Sequence, residues 1–324
     1  KKNKSDKGEH EYLDTLRNIY ENGIIHKGRN GNTKSIFVQH MKFDLRNGFP
    51  MITTRKMFFK GIVEELLFFL RGDTNSKLLE EKKINIWKGN TSREFLDSIG
   101  KTDRIEGMMG PMYGYQLRNF GAKYDEKTGK PIEDIKEDED LYQQINSDGI
   151  EELHKENIGF DQLKYVIDTI NKEPSSRRIL MTAYNPIQAS EGVLYPCHSI
   201  TLQFYVENDE YGNSYLDMFA YSRSSDYFHG IVFNLSSYSL MLSIIAKICN
   251  KIPRYLHMTM GDTHIYESHY SSVEKQLNRI PYNFPILNIK KEKISLDDII
   301  SLKYNDFELL NYSHHDPIKT DMVI

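Results

Sequence analysis

Cysteine is scarce: Cys197 and Cys249 are the only two in 324 residues. Two widely separated thiols make no disulfide framework and lack the clustered spacing of a zinc site, which suits a reducing compartment. Strong net charge is missing too. A formal charge of −4 gives no general pull toward nucleic acid or anionic membrane, so any phosphate recognised is small and is met by locally placed arginines. No stretch approaches the roughly twenty apolar residues of a membrane-spanning helix, and the Lys-rich start has no apolar signal core. A cytoplasmic location without a membrane partner is the expectation. There is no internal repeat, and the chain begins at Lys1 rather than Met, as an excised domain would.

What is present is a globular composition. Apolar residues at 39% and aromatics at 12% are too many for a disordered chain. The pattern predicts a helix over Glu11 to Asn22 stopped by Gly23, a strand over Ser35 to Leu45, and an apolar helix over Met57 to Leu70 ended by Gly72. Further helices are expected over Phe160 to Asn171 and Ser236 to Cys249, and strands over Arg178 to Asn185, Ser199 to Val206 and Tyr215 to Arg223. The Ser236 to Cys249 helix is apolar on every side, so it belongs in the core with the sheet around it. The fold class is α+β, one domain over 1–324, with a large mixed sheet against that buried helix. An acidic insertion at about 124–157, including Glu133 to Asp140, interrupts it.

Three local features carry chemistry. The loop Lys27-Gly28-Arg29-Asn30-Gly31-Asn32 can lay Arg29 on an anion, although a solvated surface loop is the plainer account of it alone. On the Met57 to Leu70 helix, Glu64 has Lys60 four residues before it, an ordinary surface pairing. Glu65 instead has Gly61, Ile62, Phe68 and Phe69 at helical spacing. A carboxylate among apolar groups is costly to ionise, which makes Glu65 a candidate general acid or base; a carboxylate capped by backbone from elsewhere is the alternative. The strands Ser199 to Val206 and Tyr215 to Arg223, joined by a loop with Asn208, Asp209 and Gly212, should form an antiparallel hairpin. Its geometry brings Cys197 beside Arg223.

A cysteine thiol ionises near pH 8.5, so only about 3% is thiolate at pH 7 unless a nearby cation or donor favours the anion. Arg223 supplies that cation, whereas alone Cys197 would read as a buried structural thiol. His198 would point across the strand from Cys197, so a cysteine-protease pairing does not fit. Arg177 and Arg178, after Pro174-Ser175-Ser176, form a second cationic point suited to phosphate or else a solvated pair. Arg223-Ser224-Ser225-Asp226 packs an arginine, hydroxyls and a carboxylate into four residues, enough to bind phosphate on one side and read NH groups on the other.

These residues carry a resemblance. Leu194-Tyr195-Pro196-Cys197-His198, Arg223-Ser224-Ser225-Asp226 through Gly230 and Phe233-Asn234, and Gly261-Asp262-Thr263-His264-Ile265-Tyr266 resemble thymidylate synthase. So do Glu64-Glu65-Leu66-Leu67, Gly110-Pro111-Met112-Tyr113-Gly114 and Ser176-Arg177-Arg178, in the family's order and over nearly the whole chain apart from the acidic insertion. Thr91 to Asp97 and Gln276 to Tyr282 resemble the eukaryotic branch, including bifunctional forms fused after a dihydrofolate reductase domain, which the missing initiator Met would fit.

The resemblance implies that Cys197 attacks C6 of dUMP and that 5,10-methylenetetrahydrofolate, with no metal, supplies the one-carbon unit and hydride to give dTMP. It further implies that Glu65 organises proton transfers through water and that Tyr113 assists loss of the C5 proton. Arg29, Arg223 and Ser224 would hold the phosphate, joined by Arg177 and Arg178 from the other subunit of a homodimer. Asn234 would pair with the uracil edge, and His264 and Tyr266 with the ribose hydroxyl. Asp226 would meet the pterin; Gly230 and Phe233 belong to the same folate-side run, and Trp87, Asn90 and the C-terminal Ile324 would close the site.

Several positions depart from the family pattern. Ser222 replaces a Gln, Lys88 an Asp, His229 a Leu against the folate, Val232 a Pro and Leu117 a Trp, and the Arg29 loop is one residue shorter. The folate side is altered more than the nucleotide side. Two other readings follow: a deoxyuridylate hydroxymethylase, in which water captures the methylene intermediate, and a noncatalytic nucleotide-binding relative.

Overall fold

A computed structural model describes residues 7–28, 31–132 and 159–320. It divides into two compact units, the first Lys1–Leu67, Lys164–Ala183 and Pro196–Ile324, the second Phe68–Leu163 and Tyr184–Tyr195. Most of the acidic insertion lies outside the described residues.

The first unit is built on a six-stranded sheet in the order β1-β2-β6-β5-β4-β3. The strands are β1 Ile24–Gly28, β2 Gly31–Asp44, β3 Leu180–Met181, β4 Thr201–Asn208, β5 Ser214–Asp226 and β6 Ile252–Tyr266. Every pairing is antiparallel except β5 with β6, so the sheet is mixed as expected. Two parallel neighbours need a crossover, and the helix that supplies it runs Ile231–Ile248. By length and composition that helix could cross a membrane, yet 72% of it is buried inside the protein. It packs on β5 and β6 as the core element its sequence predicts. The hairpin β4–β5 also forms, with Thr201 opposite Tyr221 and Asn208 opposite Ser214. Its turn closes on Asp209, whose carboxylate accepts from the N–H groups of Tyr211 and Asn213, both at 2.9 Å. Gly212 there takes the left-handed φ of 85° that a side chain disfavours.

Helix α1, His10–Asn22, buries Tyr12, Leu13, Leu16 and Ile19, the spacing of one helical face. Just before it stands Glu9, only 3% exposed. Its carboxylate accepts from Thr53 N at 2.7 Å, Thr53 Oγ1 at 2.5 Å, Thr54 N at 3.0 Å and Thr54 Oγ1 at 2.6 Å. Those bonds offset the burial of the charge and fix the segment that leads into Arg55. Helix α2, Phe59–Arg71, begins in this unit and ends in the second. The expected strand over Arg178 to Asn185 shrinks to the two residues of β3. Beyond it the Thr182 hydroxyl donates to the Ile200 carbonyl, and the Ala183 N–H reaches Ser199 O at 2.9 Å. Side-chain bonding thus replaces the regular ladder.

The second unit holds short helices α3 Lys77–Glu80, α4 Arg93–Ser98 and α5 Gly114–Asn119. Helix α6, Gln162–Lys172, starts in this unit and continues into the first. A buried amide cluster ties the second unit together: Gln116 Nε2 donates to Pro111 O at 2.7 Å and to Gln188 Oε1 at 2.9 Å, and Gln162 Nε2 donates to Gln116 O at 2.7 Å. Leu117, where the family has Trp, is buried. A Cβ on Gly114 would meet the Phe69 carbonyl oxygen at 2.6 Å, so only glycine lets α5 start against that backbone.

Candidate active site

The hairpin register joins Cys197 to Arg223 as the sequence predicts. The Arg223 N–H donates to the Cys197 carbonyl at 2.9 Å, and the Ser224 N–H lies 3.4 Å from the same oxygen. Arg223 also donates from Nε to the Pro196 carbonyl at 2.7 Å, which orients its exposed guanidinium at the mouth of the turn. Cys197 is half-buried, whereas Cys249 is buried, its Sγ 3.9 Å from the Ile167 carbonyl. Burial pushes the Cys249 thiol up to about 12, leaving it an inert core group. Of the two cysteines, Cys197 is the one with solvent access. His198 turns its Nδ1 toward hydroxyl groups. Its Nδ1 lies 3.1 Å from Ser199 Oγ, and burial pulls the imidazole down to about 4.

Downstream, β5 carries the motif straight into the core helix. Asp226 turns its Oδ1 back to accept from Phe228 N at 3.1 Å and His229 N at 2.9 Å. Its carbonyl accepts from Gly230 N at 3.0 Å, and the Gly230 carbonyl in turn accepts from Phe233 N at 3.1 Å and Asn234 N at 3.2 Å. Asp226, Gly230, Phe233 and Asn234 are thus successive links of one helix entry, which we label α7 (Ile231–Ile248). Parallel pairing sets Asp226 beside His264 and Ser224 beside Asp262, and the Tyr227 N–H donates to the His264 carbonyl at 2.8 Å. His264 Nδ1 lies 2.8 Å from Asp262 Oδ1, and its ring meets Tyr266 edge-on with centroids 5.2 Å apart. Asp262 fixes the imidazole's orientation, a role its place in the motif did not reveal.

His229, the family's Leu position, stacks 6.1 Å from His269 and approaches Thr320 Oγ1 at 3.3 Å through Nδ1. Burial lowers its pKa, with the Asp226 charge opposing that shift. Val232 is fully buried.

In the second unit Tyr113 and Trp87 share an aromatic cluster with Phe69, with ring centroids 5.3 Å apart for Phe69 and Tyr113 and 6.0 Å for Trp87 and Tyr113. Tyr113 takes a left-handed φ of 42° at the start of α5. Asn90 is buried one residue from Thr91, which donates from Oγ1 to the Trp87 carbonyl at 2.9 Å. Lys88 is exposed.

One expectation about a carboxylate needs revision. Glu64, read as a surface partner of Lys60, is only 5% exposed, whereas Glu65 retains more surface. Neighbours on the same helix do not report what other segments lay over it. Arg177 and Arg178 are both exposed. Arg29 and Ile324 lie outside the described residues. Arg55 escaped the sequence reading altogether. It is 4% exposed, donates to the Phe228 carbonyl and sits 4.4 Å over the Phe228 ring. Burial lowers its pKa, while the negative groups Asp226 and Glu9 oppose that change. In sequence Arg55 stands in the polar stretch Thr53-Thr54-Arg55-Lys56, which gives no sign that its cation is buried.

A cavity of 1020 Å³ bounded by Arg46, Phe49, Lys247 and Ile286 contains none of these residues. Among the described residues no group of three His, Cys, Asp or Glu side chains is placed to hold a metal.

A half-buried thiol at a strand entrance, with Arg223 of the paired strand on the Pro196 and Cys197 carbonyls and an aspartate turn leading into the core helix, defines an α+β fold with a candidate cysteine nucleophile. A thymidylate synthase family model matches residues 10–324. Similar curated proteins are the bifunctional dihydrofolate reductase-thymidylate synthases of Paramecium tetraurelia (42% identity over 98% of this chain and 61% of that protein), Arabidopsis thaliana (40% over 97% and 54%) and Leishmania amazonensis (40% over 98% and 55%). The chain belongs to the thymidylate synthase family, and it spans less than two-thirds of the length of these relatives.

Proposed function

We propose that this chain catalyses reductive methylation of dUMP to dTMP, with Cys197 as nucleophile and 5,10-methylenetetrahydrofolate as co-substrate. The observation that carries the reading is the double clamp of Arg223 on the Pro196 and Cys197 carbonyls, found in a chain of this family. The Cys197 thiolate adds to C6 of the uracil, and the electron pair of the C5–C6 double bond moves toward C5 and O4, making C5 nucleophilic. The folate supplies a one-carbon unit and a hydride. Tyr113 assists removal of the C5 proton, Glu65 directs proton transfers through ordered water, and the thiolate leaves C6 as the product forms.

Arg29, Arg223 and Ser224 hold the 5′-phosphate by charge-assisted hydrogen bonds. Asn234 reads the uracil edge with one donor and one acceptor. His264, held by Asp262, and Tyr266 take the 3′-hydroxyl. Asp226 meets the pterin beside Arg55, with Gly230, Phe233, Trp87, Asn90 and Ile324 completing the folate side. A homodimer supplies Arg177 and Arg178 across its interface. Exposed Phe37, Leu180 and Tyr205 on the sheet strands support such a covering partner. A dihydrofolate reductase domain N-terminal to this chain and a cytoplasmic location complete the proposal; the full transcript tests the first, and cell fractionation the second.

The hydroxymethylase and noncatalytic readings are not favoured by the family match or by the relatives' names. Purified protein supplied with dUMP or dCMP plus methylenetetrahydrofolate should yield dihydrofolate and a nucleotide heavier by one CH₂ from dUMP alone. Nucleotide binding with no turnover would refute the reading, and a product heavier by a further oxygen would favour hydroxymethylation.

A further inference from the structure

Behind Cys197 lies a buried polar group that none of the roles above uses. Tyr238 sits on α7 with 2% of its surface exposed, and Ser199 and Ser222 are 5% and 1% exposed. The Ser199 N–H donates to Tyr238 Oη at 2.8 Å, Ser199 Oγ lies 3.1 Å from that oxygen, and His198 Nδ1 lies 3.4 Å from it. Ser222 also hydrogen-bonds the Tyr238 side chain. One phenolic oxygen therefore gathers the two residues after the nucleophile and the residue before Arg223.

The backbone explains what this gathering does. Ser199 has φ 53°, a left-handed conformation a non-glycine residue adopts only when its surroundings hold it there. Its N–H is held by Tyr238 and its carbonyl by the Ala183 N–H at 2.9 Å. On the other side of the thiol, the Cys197 and Pro196 carbonyls are held by Arg223. The turn is pinned at both ends, and only the Tyr238 pin can be removed by deleting one side-chain atom. The hydroxyls around His198 also bear on its proton. Tyr238 Oη already accepts a backbone N–H, so its own proton can pass to Ser199 Oγ, and the Ser199 proton to His198 Nδ1.

We propose that Tyr238, acting through Ser199, is a positioning residue for Cys197: its hydroxyl fixes the Pro196–Ser199 turn and sets His198 as the neutral tautomer that carries its proton on Nε2. The role rests on the dUMP reaction proposed above, and it predicts that Ser222, in place of the family's longer Gln, serves as a short partner of the same phenol.

The test compares wild type, Tyr238→Phe and Ser199→Ala, with kcat, dUMP affinity and the ¹⁵N shifts of the His198 ring measured on each. Tyr238→Phe should lower kcat about tenfold or more, leave dUMP affinity within about twofold, and shift His198 Nδ1 away from its acceptor signature. Ser199→Ala, which keeps the backbone bond but breaks the hydroxyl chain, should shift the histidine signal with a smaller loss of kcat. A Tyr238→Phe protein with unaltered kcat and unaltered His198 shifts would overturn the proposal, as would an Nδ1-protonated His198 in wild type. Should Tyr238→Phe fail to fold, the wild-type tautomer decides: an Nδ1-protonated His198 overturns the proposal. If wild type turns over no dUMP, the reaction assigned above fails, while the ¹⁵N shifts still decide whether the network sets the tautomer.

Discussion

At the scale of single residues, the environment of each side chain decides what its chemistry can be. Burial holds the His198 imidazole at about 4, against about 6.5 for an ordinary histidine. Between those values the unfolded chain binds a proton that the folded protein refuses, so stability rises with pH there. The contribution is complete above about pH 6.5 and lost as pH falls toward 4, on the order of 3 kcal/mol in all. His40, His257 and His229 are lowered by burial as well and act in the same direction. Denaturant unfolding at neutral pH and near pH 5 should therefore show a stability loss that His198→Asn reduces. Equal losses in the two proteins would mean that His198 titrates normally in the fold. None of this was legible in the sequence, where His198 showed only that it would face away from Cys197.

At the scale of elements, long periodic segments were legible and anything decided by a distant segment was not. The hairpin β4–β5 follows from alternation and a loop with Asn208, Asp209 and Gly212, and the core helix α7 from its nearly unbroken apolarity. From these the pairing of Cys197 with Arg223 could be reached without coordinates. The second half of the expected Arg178 to Asn185 strand failed because Thr182 satisfies the Ile200 carbonyl with its side chain. The burial of Glu64 and the entombed Arg55 likewise depend on packing from outside their own segments. Glu9 is the clearest instance: an unremarkable charged residue in sequence, it receives four hydrogen bonds from Thr53 and Thr54. Glu9→Gln turns one acceptor into a donor facing those groups and should cost about 2 to 3 kcal/mol of stability in urea unfolding. A change under about 0.5 kcal/mol would show that the carboxylate is not what secures the segment.

At the scale of the whole molecule, the family resemblance asks more than local pattern can, because it implies roles for Tyr113, Trp87 and Asn90 that no local pattern in the sequence suggests. The dimer is the consequence most open to experiment. If each site borrows Arg177 and Arg178, a Cys197→Ala protein and an Arg177→Ala/Arg178→Ala protein are each impaired for different reasons. Subunit exchange between them should create hybrids in which one site carries both lesions and the other none. Equal mixing should restore about one quarter of wild-type activity. Activity no greater than the sum of the parents, with exchange confirmed by mass, would place those arginines outside the partner's site.

The central claim is that Cys197 forms a bond to C6 of the pyrimidine. With 5-fluoro-dUMP and methylenetetrahydrofolate, fluorine at C5 leaves no proton for Tyr113 to help remove, so the covalent adduct should accumulate instead of turning over. Proteolysis and mass spectrometry of the trapped protein should find nucleotide and folate together on the peptide containing Cys197, and no adduct in Cys197→Ala. An adduct mapped to another residue, or continued dTMP formation by Cys197→Ala, would contradict the account.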